Sequence, residues 1–352
     1  MKTIRVGIIG QGRSGRDIHG AYLAKDKRYK IAAAADPMAD RRQRAREEFG
    51  CDVCEDYHEL FARDDLDLIV NATQSQMHAP VSMEIMKAGF NCLCEKPLAD
   101  SVKDVDRLIA TSKKTGKLLA IYQQSRYAPY FQQVRKVIRS GVLGRIVQIS
   151  IAFNGFSRRW DWQTLQRYQG GSLLNTGPHP LDQALQLFGE GMPRVTCFMD
   201  RANTAGDAED HVKLLLSGEG HPVIDLEITS CCAYPSFTYS LYGTRGGLKG
   251  NTTKLEWKYF KPSEAPKIKL TERPLTKPDG TPAYCREDLK WHTGTWEQPA
   301  ADKAKSMGAQ FYDMLYKTLA KGAPLEITPE QVRRQIAVIE ECQRQNPLIY
   351  KR

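Results

Sequence analysis

Three clusters in this 352-residue chain combine residue types that bind anions or move protons. Gly10-x-Gly12-x-x-Gly15 follows the apolar run Arg5-Val6-Gly7-Ile8-Ile9 and precedes a helical pattern. In that context Gly10 permits a tight turn and Gly12 lets the backbone approach a pyrophosphate. Gly15 lets helix and strand pack closely, with the positive helix end facing the phosphates. Arg13 and Ser14 lie inside this loop and join the glycines as cofactor-binding candidates. Glu95-Lys96-Pro97 ends a later strand of the same sheet, at the carboxyl edge where ligands collect. An ammonium there can hydrogen-bond a hydroxyl or carbonyl and stabilise developing oxyanion charge. Glu95 either anchors the turn or contacts the cofactor.

The third cluster runs Gly170-Gly171-Ser172-Leu173-Leu174-Asn175-Thr176-Gly177-Pro178-His179-Pro180-Leu181-Asp182. On a helix, Asn175, His179 and Asp182 fall at i, i+4 and i+7 and share one face. Leu173, Leu174, Leu181 and Leu185 supply the buried face, and the two prolines predict a kink near His179. Hydride removal from a secondary alcohol requires a base for the hydroxyl proton. Imidazole titrates in the right range, so His179 is the candidate base, with a satisfied core histidine as the bland reading.

Asp36 ends the second strand, where a carboxylate accepts hydrogen bonds from ribose hydroxyls and repels a 2′-phosphate. It favours NAD over NADP, while Arg41 and Arg42, one turn into the next helix, pull the other way. Asn71-Ala72-Thr73 ends a further strand and is expected on the nicotinamide side, Ala72 and Thr73 as cofactor contacts. His78 either starts a helix or touches the cofactor.

Composition narrows the class. Hydrophobic residues are 41% and charged residues 26%, as in ordinary globular enzymes. No apolar run approaches the roughly 20 residues of a membrane span, and the N-terminus runs straight into a strand. No membrane partner and a cytoplasmic location are expected. The formal charge of +10 is spread over several faces with no nucleic-acid-binding motif, so no nucleic acid partner is expected. Cys51-x-x-Cys54 has no second pair at zinc spacing, so the nine cysteines read as inert thiols and no metal is expected.

The first 122 residues alternate β-rich and helical runs, predicting a doubly wound parallel sheet. Strands are expected at Ile4–Ile9, Tyr29–Ala35, Leu66–Asn71, Phe90–Cys94 and Leu118–Tyr122. Residues 123–352 predict an α+β domain for substrate binding and oligomerisation. It has a helical stretch from Ser172 to Phe188 and consecutive strands from about Val195 to Leu270. Residues 271–300 read as a long loop, in which Trp291, His292 and Trp296 could cap a pocket. Helices near Lys303–Leu319 and Pro329–Gln343 close the chain.

Taken together, the glycine loop, Glu95-Lys96-Pro97, the 170–182 segment and Gly243-Thr244-Arg245-Gly246-Gly247 resemble the glucose–fructose oxidoreductase/inositol dehydrogenase (Gfo/Idh/MocA) family. The resemblance runs nearly end to end and is weakest at 260–300. It implies an N-terminal Rossmann domain and a C-terminal domain with an open, mostly antiparallel sheet whose face commonly forms a homodimer or homotetramer. It also implies NAD(P)-dependent redox chemistry on sugars, glycosides or cyclitols. The family's catalytic lysine maps onto Lys96 and its histidine onto His179. Its helix aspartate falls on Asn175, which adds no negative charge to raise the histidine pKa. Within this reading Lys96 polarises the oxygen, His179 shuttles the proton, and Asn175 and Asp182 orient. Arg126, Tyr127, Arg158, Arg159, Trp160, Asp161 and Trp162 are placed near the cleft by analogy. Trp160 and Trp162 either stack on a sugar ring or pack in the core. The same family contains glycosidases that recycle bound NAD and non-catalytic sensors. Pyranoside C3 oxidation is the preferred guess, although no residue reads out ring position.

Overall fold

The computed structural model describes residues 2–300 and 305–350. Its first half builds β1 (Ile4–Ile9), β2 (Tyr29–Ala35), β3 (Asp52–Cys54), β4 (Leu68–Asn71), β5 (Asn91–Cys94) and β6 (Leu119–Ile121). The crossovers carry α1 (Ala21–Leu23), α2 (Ala39–Phe49), α3 (His78–Lys87) and α4 (Val102–Thr115). The six strands pair in parallel in the order β3-β2-β1-β4-β5-β6. The strand order reverses between β1 and β4, which opens a crevice at their carboxyl ends. Short apolar runs such as Leu68-Ile69-Val70 are buried throughout, as a sheet covered on both faces demands. β3 lacked a sequence signal, being three residues long and carrying Asp52 and Cys54.

The second half contains α5 (Pro129–Arg139), β7 (Ile146–Asn154), α6 (Ser172–Asn175), α7 (Pro178–Phe188), β8 (Arg194–Asp200), β9 (His211–Ser217) and β10 (Val223–Thr229). It continues with β11 (Tyr239–Gly243), β12 (Gly246–Gly250), β13 (Lys254–Phe260), β14 (Trp291–Glu297), α8 (Met307–Lys321) and α9 (Pro329–Arg344). Its eight strands order as β14-β13-β12-β11-β7-β10-β9-β8. All neighbours run antiparallel except β7 and β10, which pair in parallel from Gln148–Val223 to Asn154–Thr229. The helical start expected at Lys303 lies outside the described residues.

Three expectations are corrected. Residues 291–297 are not loop: alternation along Trp291–Glu297 pairs them with β13 as an edge strand. Trp291, His292 and Trp296 therefore belong to the sheet. Trp296 packs against the core, and His292 stacks on Tyr259 and bonds Glu264. The 172–188 segment is two helices, because Pro178 lacks the N–H that would continue α6 and takes the first position of α7 instead. Asn175 and His179 thus lie on either side of a break at Thr176-Gly177.

The third correction concerns Arg126 and Asp182, expected beside substrate. Their side chains are only 6% and 4% exposed, and they satisfy each other. Arg126 Nε donates to Asp182 at 2.9 Å, a second nitrogen donates to the other carboxylate oxygen, and the third reaches the Glu326 carbonyl at 3.1 Å and Gln331. Gln331 also forms the capping box of α9 with Thr328. The pair therefore ties the segment after β6 to α7 and to the start of α9. α8 returns to the first sheet, where Phe311, Tyr312, Met314 and Leu315 cover Ile4, Val6 and Ile8. Residue 122 separates the two sheets in sequence but not in packing.

Asp182→Ala strands the Arg126 guanidinium in the interior. Urea unfolding is expected to show a loss of about 3–5 kcal/mol, the usual result of removing one partner of a buried pair; a loss below about 1 kcal/mol would mean that the pair is not structural.

Candidate functional site

The glycine loop has the shape that its spacing predicted. Gly10 adopts φ +90°, and a Cβ there would lie 2.4 Å from the Ala72 carbonyl oxygen. A Cβ on Gly15 would lie 1.8 Å from the Gly10 carbonyl oxygen, so loop and following helix touch backbone to backbone. A Cβ on Gly12 would meet only Arg41, at 3.8 Å, leaving its surface open for a ligand. Ser14–Gly20 is wound as a π-helix that runs into α1, with Arg13 exposed at its start and Ser14 half-buried.

Asp36 closes the loop from below. Its Oδ2 accepts from the Gln11 N–H at 2.7 Å and its Oδ1 from the Met38 N–H at 2.9 Å. Arg41 approaches Asp36 at 3.5 Å, whereas Arg42 turns away to the Asp36 and Pro37 carbonyls and to Glu55. One guanidinium, not two, therefore stands over the seat. These groups fit a dinucleotide: close backbone, an open Gly12, and a carboxylate at the end of β2.

Ala72 lies against the glycine turn. Thr73 Oγ1 donates to Asn71 at 2.7 Å, and Asn71 in turn bonds the His78 carbonyl and Ser82. His78 starts α3 and is buried, with its ring nitrogens 2.7 Å from the Pro97 oxygen and 3.1 Å from the Thr73 oxygen. The helix-start alternative describes it: the ring holds two site loops together. Burial lowers its pKa despite those acceptors and Glu95, so the ring is neutral and donates through one nitrogen.

Glu95 and Lys96 follow β5. The Glu95 carboxylate receives His19 Nε2 at 3.1 Å, and His19 Nδ1 accepts from the Tyr312 hydroxyl at 2.6 Å. Burial pushes the Glu95 carboxyl up, but the His19 hydrogen bond and the charges nearby outweigh it and hold it down to about 2. The carboxylate is thus ionised in the interior. Lys96 Nζ donates to the Asn175 carbonyl at 2.8 Å, crossing from the first sheet to α6. Burial lowers the Lys96 pKa; Glu95 opposes this, and Arg13 and Arg159 add to it.

His179 stands in the first turn of α7. Gln123 and Gln335 both donate to the Pro178 carbonyl just before it, fixing that turn. Burial, then the adjacent Lys96 charge, push the imidazole down to about 3, with Glu95 acting the other way. The ring is neutral at working pH, and its Nδ1 has no hydrogen-bond partner among the described residues. Asn175 Oδ1 accepts from Gln163 at 3.2 Å, and Gln163 is held by Arg159. The structure therefore brings together Lys96, His179, Asn175 and Glu95.

Trp160 stands 83% exposed on the neighbouring loop, while Trp162 packs edge-on against Tyr168. The sequence reading missed His19, Tyr312 and Gln163. His19 carried a signal, lying one helical turn beyond Gly15; Tyr312, 293 residues from its partner, carried none. Cys51 and Cys54 belong to no group of three or more potential metal ligands among the described residues, and burial pushes both thiols up to about 11. No helix among the described residues is long and apolar enough to cross a membrane.

Comparison with known proteins agrees with this architecture. Residues 4–123 match the oxidoreductase family with an NAD-binding Rossmann fold, and residues 131–249 match the GFO/IDH/MocA C-terminal domain. The chain is 28% identical over 274 residues to a 2,7-anhydro-N-acetylneuraminate hydratase of Mediterraneibacter gnavus, covering 73% of this chain and 71% of the relative. It is 28% identical over 195 residues to a scyllo-inositol 2-dehydrogenase (NADP(+)) of Bacillus subtilis, covering 54% of this chain and 53% of that one. A D-glucoside 3-dehydrogenase of Escherichia coli is 28% identical over 193 residues, covering 53% of this chain and 54% of that one. The match thus spans about half the length of these two dehydrogenases. In fold, the chain resembles the WlbA dehydrogenase of Bordetella pertussis, solved with NADH and UDP-GlcNAcA. The TM-score is 0.76 at 20% identity, covering 98% of this chain and 95% of that one. The protein belongs to the Gfo/Idh/MocA oxidoreductase family, and its first half is that family's NAD-binding Rossmann domain.

Proposed function

We propose that the protein oxidises a secondary hydroxyl of a sugar, glycoside or cyclitol, or reduces the corresponding ketone, using NAD. One observation carries the reading: Lys96, just past β5, reaches the Asn175 carbonyl on α6, and its charge lowers the proton affinity of the neutral His179 imidazole on α7. When bound, NAD supplies the hydride acceptor or donor. Lys96 Nζ, one of whose protons is bonded to the Asn175 carbonyl, has two further donors for the substrate oxygen. Those donors stabilise negative charge as the hydroxyl proton leaves. His179 takes that proton on its neutral ring, and its low proton affinity in the free enzyme rises as alkoxide charge offsets the Lys96 ammonium. Asn175, fixed by Gln163, orients the substrate hydroxyl. Relatives named as inositol and glucoside dehydrogenases support the substrate class.

A second reading is favoured by the hydratase relative, whose name describes no net oxidation. In that case the cofactor returns to its starting state in each turnover. Product analysis separates the two: free NADH accumulates for a dehydrogenase, whereas a hydrated or cleaved sugar without NADH identifies the alternative. Assembly into a homodimer or homotetramer through the open sheet face is also proposed, supported by exposed Phe198, Leu215 and Tyr242 on that face. Light scattering is expected to give a multiple of 39.7 kDa, and a monomeric mass would refute it.

Lys96→Ala and His179→Ala are each expected to lower turnover about 100-fold or more, with NAD affinity changing by less than about threefold. Steady-state assays over a panel of sugars, inositols and glycosides, together with calorimetry of NAD binding, read this out. Retained turnover in both variants would overturn the catalytic roles. Asp36→Ala is expected to narrow the NAD-over-NADP ratio of kcat/KM by roughly tenfold, because it removes repulsion and releases Arg41; an unchanged ratio would show that Asp36 does not read the ribose.

A further inference from the structure

A cavity of about 380 Å³ opens at the carboxyl ends of β7 and β10, the one parallel pair of the second sheet. That volume is within the usual range for small-ligand sites, and its polar lining is dominated by hydroxyls, with Ala152, Phe153 and Ile228 supplying apolar wall. Ser157, Ser172, Thr176, Ser230, Thr238 and Thr252 border it, and none of these six hydroxyls has a hydrogen-bond partner among the described residues. No lysine, arginine, aspartate or glutamate lines it. Asn154, also on the wall, uses its amide nitrogen on Glu227 and leaves its carbonyl oxygen unpartnered.

Two segments connect this cavity to the Lys96 centre. Ser172 and Thr176, four residues apart at α6, flank Asn175, whose carbonyl receives Lys96. The loop beyond β7 passes from Ser157 at the cavity to Arg159, which lowers the Lys96 pKa. The loops rising from the cavity carry three aromatic residues: Phe156, Trp160 and Tyr234 are 61%, 83% and 92% exposed. Phe156 forms an isolated bridge with Cys231, so the two aromatic loops are joined at their base. Hydroxyls free to donate and accept, with aromatic faces for an apolar ring surface and no fixed charge, suit a neutral polyhydroxylated ring. A diphosphate or a carboxylate would find no counter-charge on the wall.

We infer that this cavity seats the second, non-reacting ring of an uncharged disaccharide while the reacting ring lies at Lys96 and His179. The inference rests on the redox reading for the reacting ring, but the cavity can be tested separately. In the NAD-loaded enzyme, kcat/KM for maltose, cellobiose or lactose is expected to exceed that for methyl α- or β-glucoside by at least about tenfold, mainly through KM. In Thr238→Val/Thr252→Val, which exchanges two hydroxyls for methyls, that ratio is expected to fall by about tenfold, the sum of two modest hydrogen bonds. Trp160→Ala, at an exposed site, is expected to raise disaccharide KM with no change in assembly mass by light scattering. UDP-glucose is expected to do no better than the methyl glucosides.

Disaccharides no better than methyl glucosides, or a preference that survives in the double variant, would overturn the assignment. So would a change of assembly mass in Trp160→Ala, which would make the aromatic rim a contact between copies. If none of these sugars reduces NAD, calorimetry of the same disaccharides decides: binding that the double variant abolishes keeps the cavity while the redox reading falls, and absent binding removes the cavity.

Discussion

Withdrawing an ammonium from water costs several kcal/mol unless other groups replace its hydration, and Lys96 sits where that cost is high. The Asn175 carbonyl on α6 accepts from it, and the Glu95 carboxylate beside it in sequence offsets part of the cost through its charge. The bond to Asn175 is the direct link from the first sheet's ligand edge to the helix that ends near His179. The placement of α6 therefore decides the geometry of the whole cleft. Its start is anchored by Glu209, whose backbone carbonyl accepts from the Ser172 N–H and whose carboxylate accepts from the Leu173 N–H at 2.7 Å. The Tyr350 hydroxyl closes that carboxylate from the other side. Burial outweighs these donors and pushes Glu209 up to about 7, so stability from this group is greatest below the ordinary carboxylate range and declines as pH rises through about 7.

Glu95 is the anion whose field reaches both Lys96 and His179. It raises the proton affinity of each, yet burial and the surrounding cations prevail. The family pattern places a carboxylate four residues before the histidine, where this chain has Asn175. That amide gives His179 no second anion, in keeping with an imidazole pushed down to about 3. The site is thus biased toward a neutral histidine and loosens the lysine's hold on its proton, a pairing that suits proton exchange with a hydroxyl. It also makes the histidine's basicity depend on charge that only substrate can supply.

The parallel sheet was legible because its strands are apolar runs bounded by glycine and helical periodicity, and the glycine loop fixed the cofactor edge. Lys96, His179 and Asn175 were legible as motif members. Other features depended on partners far away in sequence. Arg126 and Asp182 carry residue types typical of a substrate clamp, and only their mutual burial shows that they are structural. Trp291–Glu297 alternates as a strand should, but Pro274, Pro278 and Pro282 ahead of it drew the whole region into one loop. The break between α6 and α7 was expected near His179 and falls just before Pro178, since a proline without an N–H is tolerated at a helix start but not inside one.

The His19–Tyr312 bond shows why such a site resists reading from the first 122 residues alone. An ionised buried carboxylate needs donors, and in a neutral His19 ring an Nε2–H directed at Glu95 leaves Nδ1 as an acceptor. The Tyr312 hydroxyl, which can donate or accept, meets that nitrogen from α8, near the other end of the chain. α8 is in turn held against Ile4, Val6 and Ile8 by its own apolar face, and Tyr29 bonds the Tyr312 carbonyl at 2.8 Å. The same contacts that bury the first sheet thus place the Tyr312 hydroxyl beside His19, whose other nitrogen meets Glu95. Core packing and site electrostatics are one structure here, joined at a hydroxyl.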